Sequence, residues 1–575
     1  MQFHPPSSGM ARSGRPTAQA RASRLLVVVA LALAALRGLT VAGVQMPFNG
    51  WDELPHIAVA YYVHKTGHMP TARTPMPREL VPFITAHPHP TASLCMLRGI
   101  DATPYPGGSA ACGAQPQKRF DLFLYQAQHG PLFYHLMALF FHPSPDPASL
   151  LAFADAGRLL GVAFCLGSLV LWRLVLGRVF PATGRLAWLP DAVLFLLASF
   201  AYLTYNFARF ANDGLALFCG SAALAAYVAW VKPRGTAGLR GAGRAAALGA
   251  LTGVAVLAKA TVLPLVPVFV VVLALPAFRR GLSRRQRLAA LAGPCAFLVG
   301  YAAVAGAYHL HYLTRFGQLT GMQEAIYTSR RGFGLAALLG AARNLGYGWL
   351  RNPLFYNATV FLGGWSNLQS PDWQNLGFKT ALVGCGLALG LALFLRQARR
   401  QVIDLAGRAP ELPLLWLGCA AALLFHALHS SLAWGFPTTG PWYGMLSLPV
   451  LLAGLLLGPA LLGRFAGAQA FLLLALLFNW GAMEGTYGAL LVQETATADL
   501  AQAAAVAAAH HALLPVDGGW TVAAQWLLTV VGIGLALKAA LGATEAAQRL
   551  RLIPLAGFRQ RAVPQTVRET DRTGT

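Results

Sequence analysis

Apolar runs of about 20 residues recur along the whole chain, parted by short polar stretches, and a run of that length crosses a bilayer as a helix. The runs predict helices near 24–44, 150–172, 186–206, 214–231, 245–262, 263–278, 288–312, 377–395, 412–432, 441–462, 468–490 and 520–541. That makes about twelve spans with a ~20-residue window. The stretch 245–278 can also be read as one long interrupted span. Arg12, Arg15, Arg21 and Arg24 precede the apolar run 25–36, the n- and h-region pattern of a signal peptide. Apolar sequence continuing past Arg37 favours an uncleaved first helix. Either reading puts the following segment outside the cytoplasm.

The cations between the runs fall on alternate sides. Arg173/Arg178/Arg185, Lys232/Arg234/Arg240/Arg244, Arg279/Arg280/Arg284/Arg285/Arg287, Arg396/Arg399/Arg400/Arg408 and Arg464 share one side, joined by Arg549, Arg551, Arg559 and Arg561. The positive-inside rule makes that side cytoplasmic. The expected organisation is a cytoplasmic tail over 1–24, a transmembrane domain over 25–541 and a basic cytoplasmic tail over 542–575. Both termini are then cytoplasmic. Outer segments are expected at about 45–149, 313–376 and 491–519. The first contains His129-Gly130-Pro131-Leu132-Phe133-Tyr134, which opens an apolar stretch too short to span and suited to an interfacial or re-entrant helix.

Composition agrees. Of 575 residues, 56% are hydrophobic and 11% charged, against roughly 25% charged in soluble proteins, and mean hydropathy is +0.53. These values exclude a soluble enzyme, a secreted disulfide scaffold and a disordered tail. The formal charge of +24 is explained by the cytoplasmic clusters, so no nucleic-acid partner is expected. Five cysteines lie in apolar runs, while Cys95 and Cys112 share the first outer segment and are a candidate disulfide in an oxidising compartment. No GxxxxGK[ST], HExxH or GxSxG motif occurs.

Acidic residues are scarce, so those at the outer boundary stand out. Asp52 and Glu53 follow the first helix directly, with His56 one turn on; ionisable groups at such depth are functional by default. A carboxylate backed by aromatics suits a general base, and a solvated pair marking the helix exit is the bland alternative. Asp213 stands on the same face and is equally suited to helix capping. Lys259 sits near the outer end of its helix, where snorkelling is the alternative role. Arg330 and Arg331 are cations on the outer side, against the topology rule, and are candidates for a lipid phosphate. Asp155 and Arg158 are three apart and suited to pair with each other.

The order of these features resembles the GT-C superfamily of polyprenyl-phosphate-dependent membrane glycosyltransferases, which includes protein O-mannosyltransferases and the lipid A aminoarabinose transferase. The features are a first helix, Asp-Glu in the first outer loop, a Pro-Leu-Phe-Tyr juxtamembrane helix and Arg-x-x-Asn-Asp in the second outer loop. Gly249 to Lys259 looks like that family's G-L-x-x-G-L-A-x-L-T-K helix, and Asp52-Glu53-x-x-His56, Phe361 to Trp365 and Gly440-Pro441-Trp442-Tyr443 look like motifs of a bacterial branch that opens D-E-x-x-H. The resemblance covers about 24–460 by order of motifs. His129-Gly130-Pro131 stands where the family often has Pro-Pro, and Trp442-Tyr443 where the branch has Arg-Tyr.

The resemblance implies an all-α polytopic, GT-C-like bundle of about twelve helices with a large first periplasmic loop. It implies transfer of a sugar, with inversion, from a polyprenyl-phosphate donor to a glycan, lipid or protein acceptor on the outer face of a bacterial inner membrane. Asp52 would be the base and Glu53 its catalytic partner, with Glu53 and His56 positioning acceptor or base. Asp213 would complete the acidic face, Lys259, Arg330 and Arg331 would neutralise the leaving phosphate, and Tyr443 would contact the donor. A divalent metal at the paired acids is left open. The competing classes are a transporter or lipid flippase, which predicts broken helices around a midplane acidic site, and a non-catalytic assembly factor, which tolerates Asp52→Asn.

Overall fold

The computed structural model describes residues 18–45, 52–80, 123–181, 184–236, 238–322, 335–351, 372–434, 441–484 and 518–551, with isolated positions at 502, 505 and 509. This part is helical, with one isolated bridge between Pro75 and Phe123 and no longer strand among the described residues. The helices are α1 (Ala18–Val44), α2 (Glu53–Thr66), α3 (Leu132–Phe140), α4 (Pro147–Val179), α5 (Leu189–Ser199), α6 (Ala201–Phe207), α7 (Asp213–Ala226), α8 (Gly238–Ala258) and α9 (Leu265–Ala274). There follow α10 (Arg284–Phe316), α11 (Leu335–Arg351), α12 (Asp372–Phe394), α13 (Arg396–Arg408), α14 (Glu411–Trp434), α15 (Leu448–Leu462), α16 (Arg464–Met483) and α17 (Gly518–Arg551). Eleven helical segments among the described residues are long and apolar enough to cross a membrane. The chain is a multi-pass helical membrane protein.

The expected span over 186–206 is not one continuous helix. It splits at Phe200, whose backbone is extended (φ −79°, ψ 101°), into α5 and the seven-residue α6. Neither glycine nor proline marks the break. A side chain from another helix meets the interrupted ladder instead: Arg37 Nη1 donates to the Ala198 carbonyl at 3.4 Å, while Asn479 Nδ2 donates to the Ser199 side chain at 3.1 Å. An interrupted helix stands in a low-dielectric layer only where such partners replace its backbone bonds. All of α5 is buried, and it is apolar apart from Asp191 and Ser199 at its two ends. The stretch 245–278 forms two segments, parted at Lys259, whose backbone is extended (φ −162°, ψ 136°).

The two ends of the bundle differ as the cation alternation requires. Asp191 accepts from Arg173 and Ser23 at one end. Lys232 pairs there with Glu411 at 2.7 Å, and Arg185 donates to the Leu461 carbonyl at 3.2 Å. Helix α8 starts beside Arg240 and Arg244 and ends at Ala258. Its 21 residues rise about 31 Å, the thickness of a hydrocarbon core. Lys259 is thereby carried to the opposite end, which also holds Asp52.

Helices α8 and α10 approach closely because glycine lines the seam. A Cβ on Gly249 would lie 1.9 Å from the Phe297 carbonyl oxygen, and one on Gly300 would lie 1.9 Å from that of Ala246. Small residues at such positions replace the hydrophobic drive that lipid removes. The Gly300→Val variant is expected to destabilise the protein by about 1–3 kcal/mol, the usual effect of overpacking. A lower unfolding temperature of the detergent-solubilised variant checks this, and an unchanged one contradicts the close approach.

Candidate active site

A fully buried ion pair fixes the end of the bundle that holds Asp52 and Lys259. Arg158, one third of the way along α4, forks onto Glu53 through Nε to Oε1 at 2.7 Å and Nη2 to Oε2 at 2.6 Å, with both side chains at 0% exposure. Arg158 Nη1 also donates to the Ala42 carbonyl at 2.8 Å and to that of Gln45. Glu53 Oε1 accepts the Phe210 N–H at 2.8 Å. The end of α1, the start of α2, α4 and the loop before α7 therefore meet at one guanidinium. Glu53 was expected to assist catalysis. Its two oxygens are bonded by the Arg158 guanidinium and the Phe210 N–H.

Asp52 has a different environment one residue earlier. It occupies the N-cap position of α2, with φ 59° and ψ 10°, the one non-glycine residue at positive φ among the described residues. Such a conformation costs about 1–2 kcal/mol outside glycine, somewhat less for Asp. An N-cap aspartate ordinarily accepts from the N–H of the second or third helical residue. Here the third is Pro55, which has no N–H, and Asp52 makes no capping bond. Its half-buried carboxylate is instead bonded by the Tyr125 hydroxyl, donating to Oδ1. Tyr125 comes from a short 3-10 turn, Tyr125–Gln128, before α3. Burial and the Asp52 charge hold its phenol well above the ordinary value, so it remains a donor.

Opposite lies a second charged group. Asp213, the first residue of α7, accepts from Lys259 Nζ at 2.7 Å and from Arg209 Nη2 at 3.0 Å, all three buried. Asn212 occupies the N-cap position and donates to the Ala258 carbonyl at 3.0 Å, tying the loop to the end of α8. Lys259 does not snorkel: the break after Ala258 turns it inward to Asp213. Arg209 is the arginine of the Arg-x-x-Asn-Asp motif, and Asp52 acts electrostatically on both it and Lys259.

His56 lies one helical turn from Asp52. Tyr134 Oη donates its single proton to the Gln126 carbonyl at 3.0 Å, so the 2.8 Å contact with His56 Nδ1 has the imidazole as donor. Nε2 is then the lone-pair nitrogen. His129 stacks on His56 with centroids 5.9 Å apart and planes 13° apart. Gly130 admits this packing, since a Cβ there would lie 2.0 Å from the Leu257 carbonyl oxygen. Burial, above all, and then the neighbouring His129, Lys259 and Arg209 lower the His56 pKa well below 6.5. Burial, followed by Lys259, does the same to His129. Gln45 Oε1, Gln126 Oε1, His129 Nδ1, Asn206 Nδ2 and Asn212 Oδ1 are buried with no partner among the described residues. Buried polar atoms of that kind are ordinarily matched by water or a polar ligand.

Asp52, His56, Asp213 and Lys259 thus gather at one end. Arg330, Arg331, Cys95 and Cys112 lie outside the described residues, as does the Phe361 to Trp365 motif. Tyr443 falls in the 3-10 turn Pro441–Ser447. No group of three or more His, Cys, Asp or Glu among the described residues could hold a metal ion. Glu53, matched by Arg158, and Asp213, flanked by two cations, do not fit as ligands of a divalent cation.

No family model matches the chain, and no curated protein matches it. Solved structures of Archaeoglobus fulgidus oligosaccharyltransferase are similar. The form tethered with an acceptor peptide containing the NVT sequon is 13% identical at a TM-score of 0.38, over 89% of this chain and 55% of that one. The complex with zinc and sulfate is 14% identical at 0.38, over 88% and 61%. The complex of that organism's oligosaccharyltransferase AglB with an inhibitory peptide and a dolichol-phosphate is 13% identical at 0.36, over 91% and 56%. The chain spans less than two thirds of those chains' length. At these TM-scores the likeness assigns neither activity nor residue roles.

The two imidazoles give the fold a pH dependence of definite sign. Their folded pKa values lie below the ordinary 6.5, so the unfolded chain takes up protons first as pH falls. The stability present above that value is lost as pH drops through and below it. The unfolding temperature is expected to fall between pH 7.5 and 5.5, and His129→Gln to flatten the fall. Equal slopes for the two proteins would contradict the burial of neutral His129.

Proposed function

We propose that the chain is a membrane glycosyltransferase that moves a sugar from a polyprenyl-phosphate donor to an acceptor hydroxyl, with inversion, on the outer face of a bacterial inner membrane. The observation that carries this reading is Asp52. Its carboxylate is withheld from helix capping, held in a left-handed backbone conformation and oriented by Tyr125, within electrostatic reach of Lys259 and Arg209. Strain concentrated at one polar residue is characteristic of functional sites.

Asp52 takes the acceptor proton as the hydroxyl oxygen attacks the anomeric carbon. The bond from that carbon to the phosphate oxygen breaks, and the lipid phosphate leaves with the electron pair. A single displacement inverts the centre. Lys259 and Arg209 meet the charge growing on the phosphate, in a setting where preorganised cations act strongly. Arg330, Arg331 and Tyr443 keep the donor-side roles that the sequence motifs suggest. His56 Nε2, His129 Nδ1 and the amide atoms that have no partner among the described residues suit the hydroxyls of a sugar. A lipid-linked donor fits because nucleotide sugars are not available on that face. The acceptor class remains glycan, lipid or protein.

The break at Phe200 is the feature that favours a transporter. The groups bonded around it include Arg37, Asn479, Ser199 and Thr529, which form a neutral-amide and hydroxyl network about one guanidinium. The acids lie at the bundle's end, where transport does not need them.

Asp52→Asn keeps the shape and removes the base. Turnover in vitro is expected to fall about 10²–10⁴-fold, while a fluorescent polyprenyl monophosphate still binds. Lys259→Met is expected to weaken binding of that probe by removing a charge-assisted contact. Full turnover in Asp52→Asn would remove the reading.

A further inference from the structure

Helix α13 has no part in the site, yet its construction is specific. It follows α12 directly, parted only by the extended Leu395 (φ −76°, ψ 117°). Because α12 is a membrane-spanning helix that ends at Phe394, α13 begins at headgroup depth. Ala398, Val402, Leu405 and Ala409, at helical spacing, pack against the bundle. Lys232 holds the far end by donating to the Arg408 carbonyl. The helix is therefore fixed with a defined outward face.

That face carries Arg396, Arg399 and Arg400, all exposed. The sole acid of the helix, Asp404, is paired with Arg408 at 2.9 Å. None of the other three arginines is within ion-pair distance of a carboxylate among the described residues. Phe394 and Ile403 are exposed beside them, at 85% and 62%. Uncompensated guanidinium groups flanked by exposed apolar side chains match a ligand with an anionic head and apolar tails.

We propose that Arg396, Arg399 and Arg400, with Phe394 and Ile403, form a docking surface for anionic phospholipid headgroups at the Arg-rich end of the bundle. The guanidinium groups bond the phosphodiester oxygens, as forked donors do. Phe394 and Ile403 enter the acyl boundary, as in interfacial amphipathic helices. A free anion would use only the arginines, and a zwitterionic lipid would leave their charge unmatched.

The test uses the purified full-length chain in neutral micelles doped with phosphatidylglycerol or phosphatidylcholine, with inorganic phosphate as a third arm. Binding is read by native mass spectrometry and by the shift in unfolding temperature. Phosphatidylglycerol alone is expected to bind and to raise the temperature. The triple variant Arg396→Gln, Arg399→Gln, Arg400→Gln is expected to bind it about 10²-fold more weakly, the combined effect of three cations near a charged surface. Its unfolding temperature in phosphatidylcholine should equal that of the parent, since all three side chains are exposed. Should the triple variant be unstable, the Arg-to-Lys triple decides: it keeps the charge and should retain most of the binding. Undiminished phosphatidylglycerol binding by the Gln triple, loss of binding by the Lys triple, or an equal response to phosphatidylcholine or inorganic phosphate would overturn the proposal.

Discussion

The Arg158–Glu53 pair is the constraint on which the candidate-site end of the molecule depends. A buried ion pair adds little net stability over an apolar alternative of the same shape, but removing one partner leaves a costly bare charge. Here the pair sets register. Asp52 directly precedes Glu53, and Arg209 directly precedes Phe210, whose N–H Glu53 accepts. The candidate base and a candidate phosphate cation are therefore sequence neighbours of the two groups that the clamp holds. Arg158 adds the carbonyls at the end of α1, so the first helix is drawn into the same frame.

Three acids in this region meet three different fates, decided by their partners. Glu53 is saturated by a forked guanidinium. Asp213 is shared between Lys259 and Arg209 and keeps both cations ordered without a ligand. Asp52 accepts from a neutral phenol and has no capping duty. A low-dielectric setting magnifies such differences. The helix breaks serve the same end: the extended residue at Lys259 lets an apolar span deliver a cation inward instead of toward a headgroup.

Most spans were legible because apolar runs of membrane length have few other readings, and Asp52, Asp213 and Lys259 were legible because charge is rare in such a chain. The pairing of Glu53 with Arg158 was not, since the two lie 105 residues apart with no local pattern joining them. Local spacing pointed Arg158 toward Asp155 instead. Tyr125 sits in a stretch rich in aromatics, where nothing marks one tyrosine as facing a carboxylate. Pro55 was a usable signal: a proline three residues after an N-cap aspartate removes a donor that the aspartate would otherwise take. The split at Phe200 was invisible because its cause is tertiary, in Arg37 and Asn479 on other helices.

The central claim is that Glu53 holds the frame while Asp52 is left available for chemistry. The direct measurement is thermal unfolding of purified Glu53→Gln against the parent protein in the same detergent. Loss of the carboxylate leaves Arg158 buried without its charge partner, and the account predicts destabilisation of about 3–5 kcal/mol, seen as a large drop in unfolding temperature. An unchanged unfolding temperature with turnover abolished would contradict it, because Glu53 would then be a catalytic group and not the clamp.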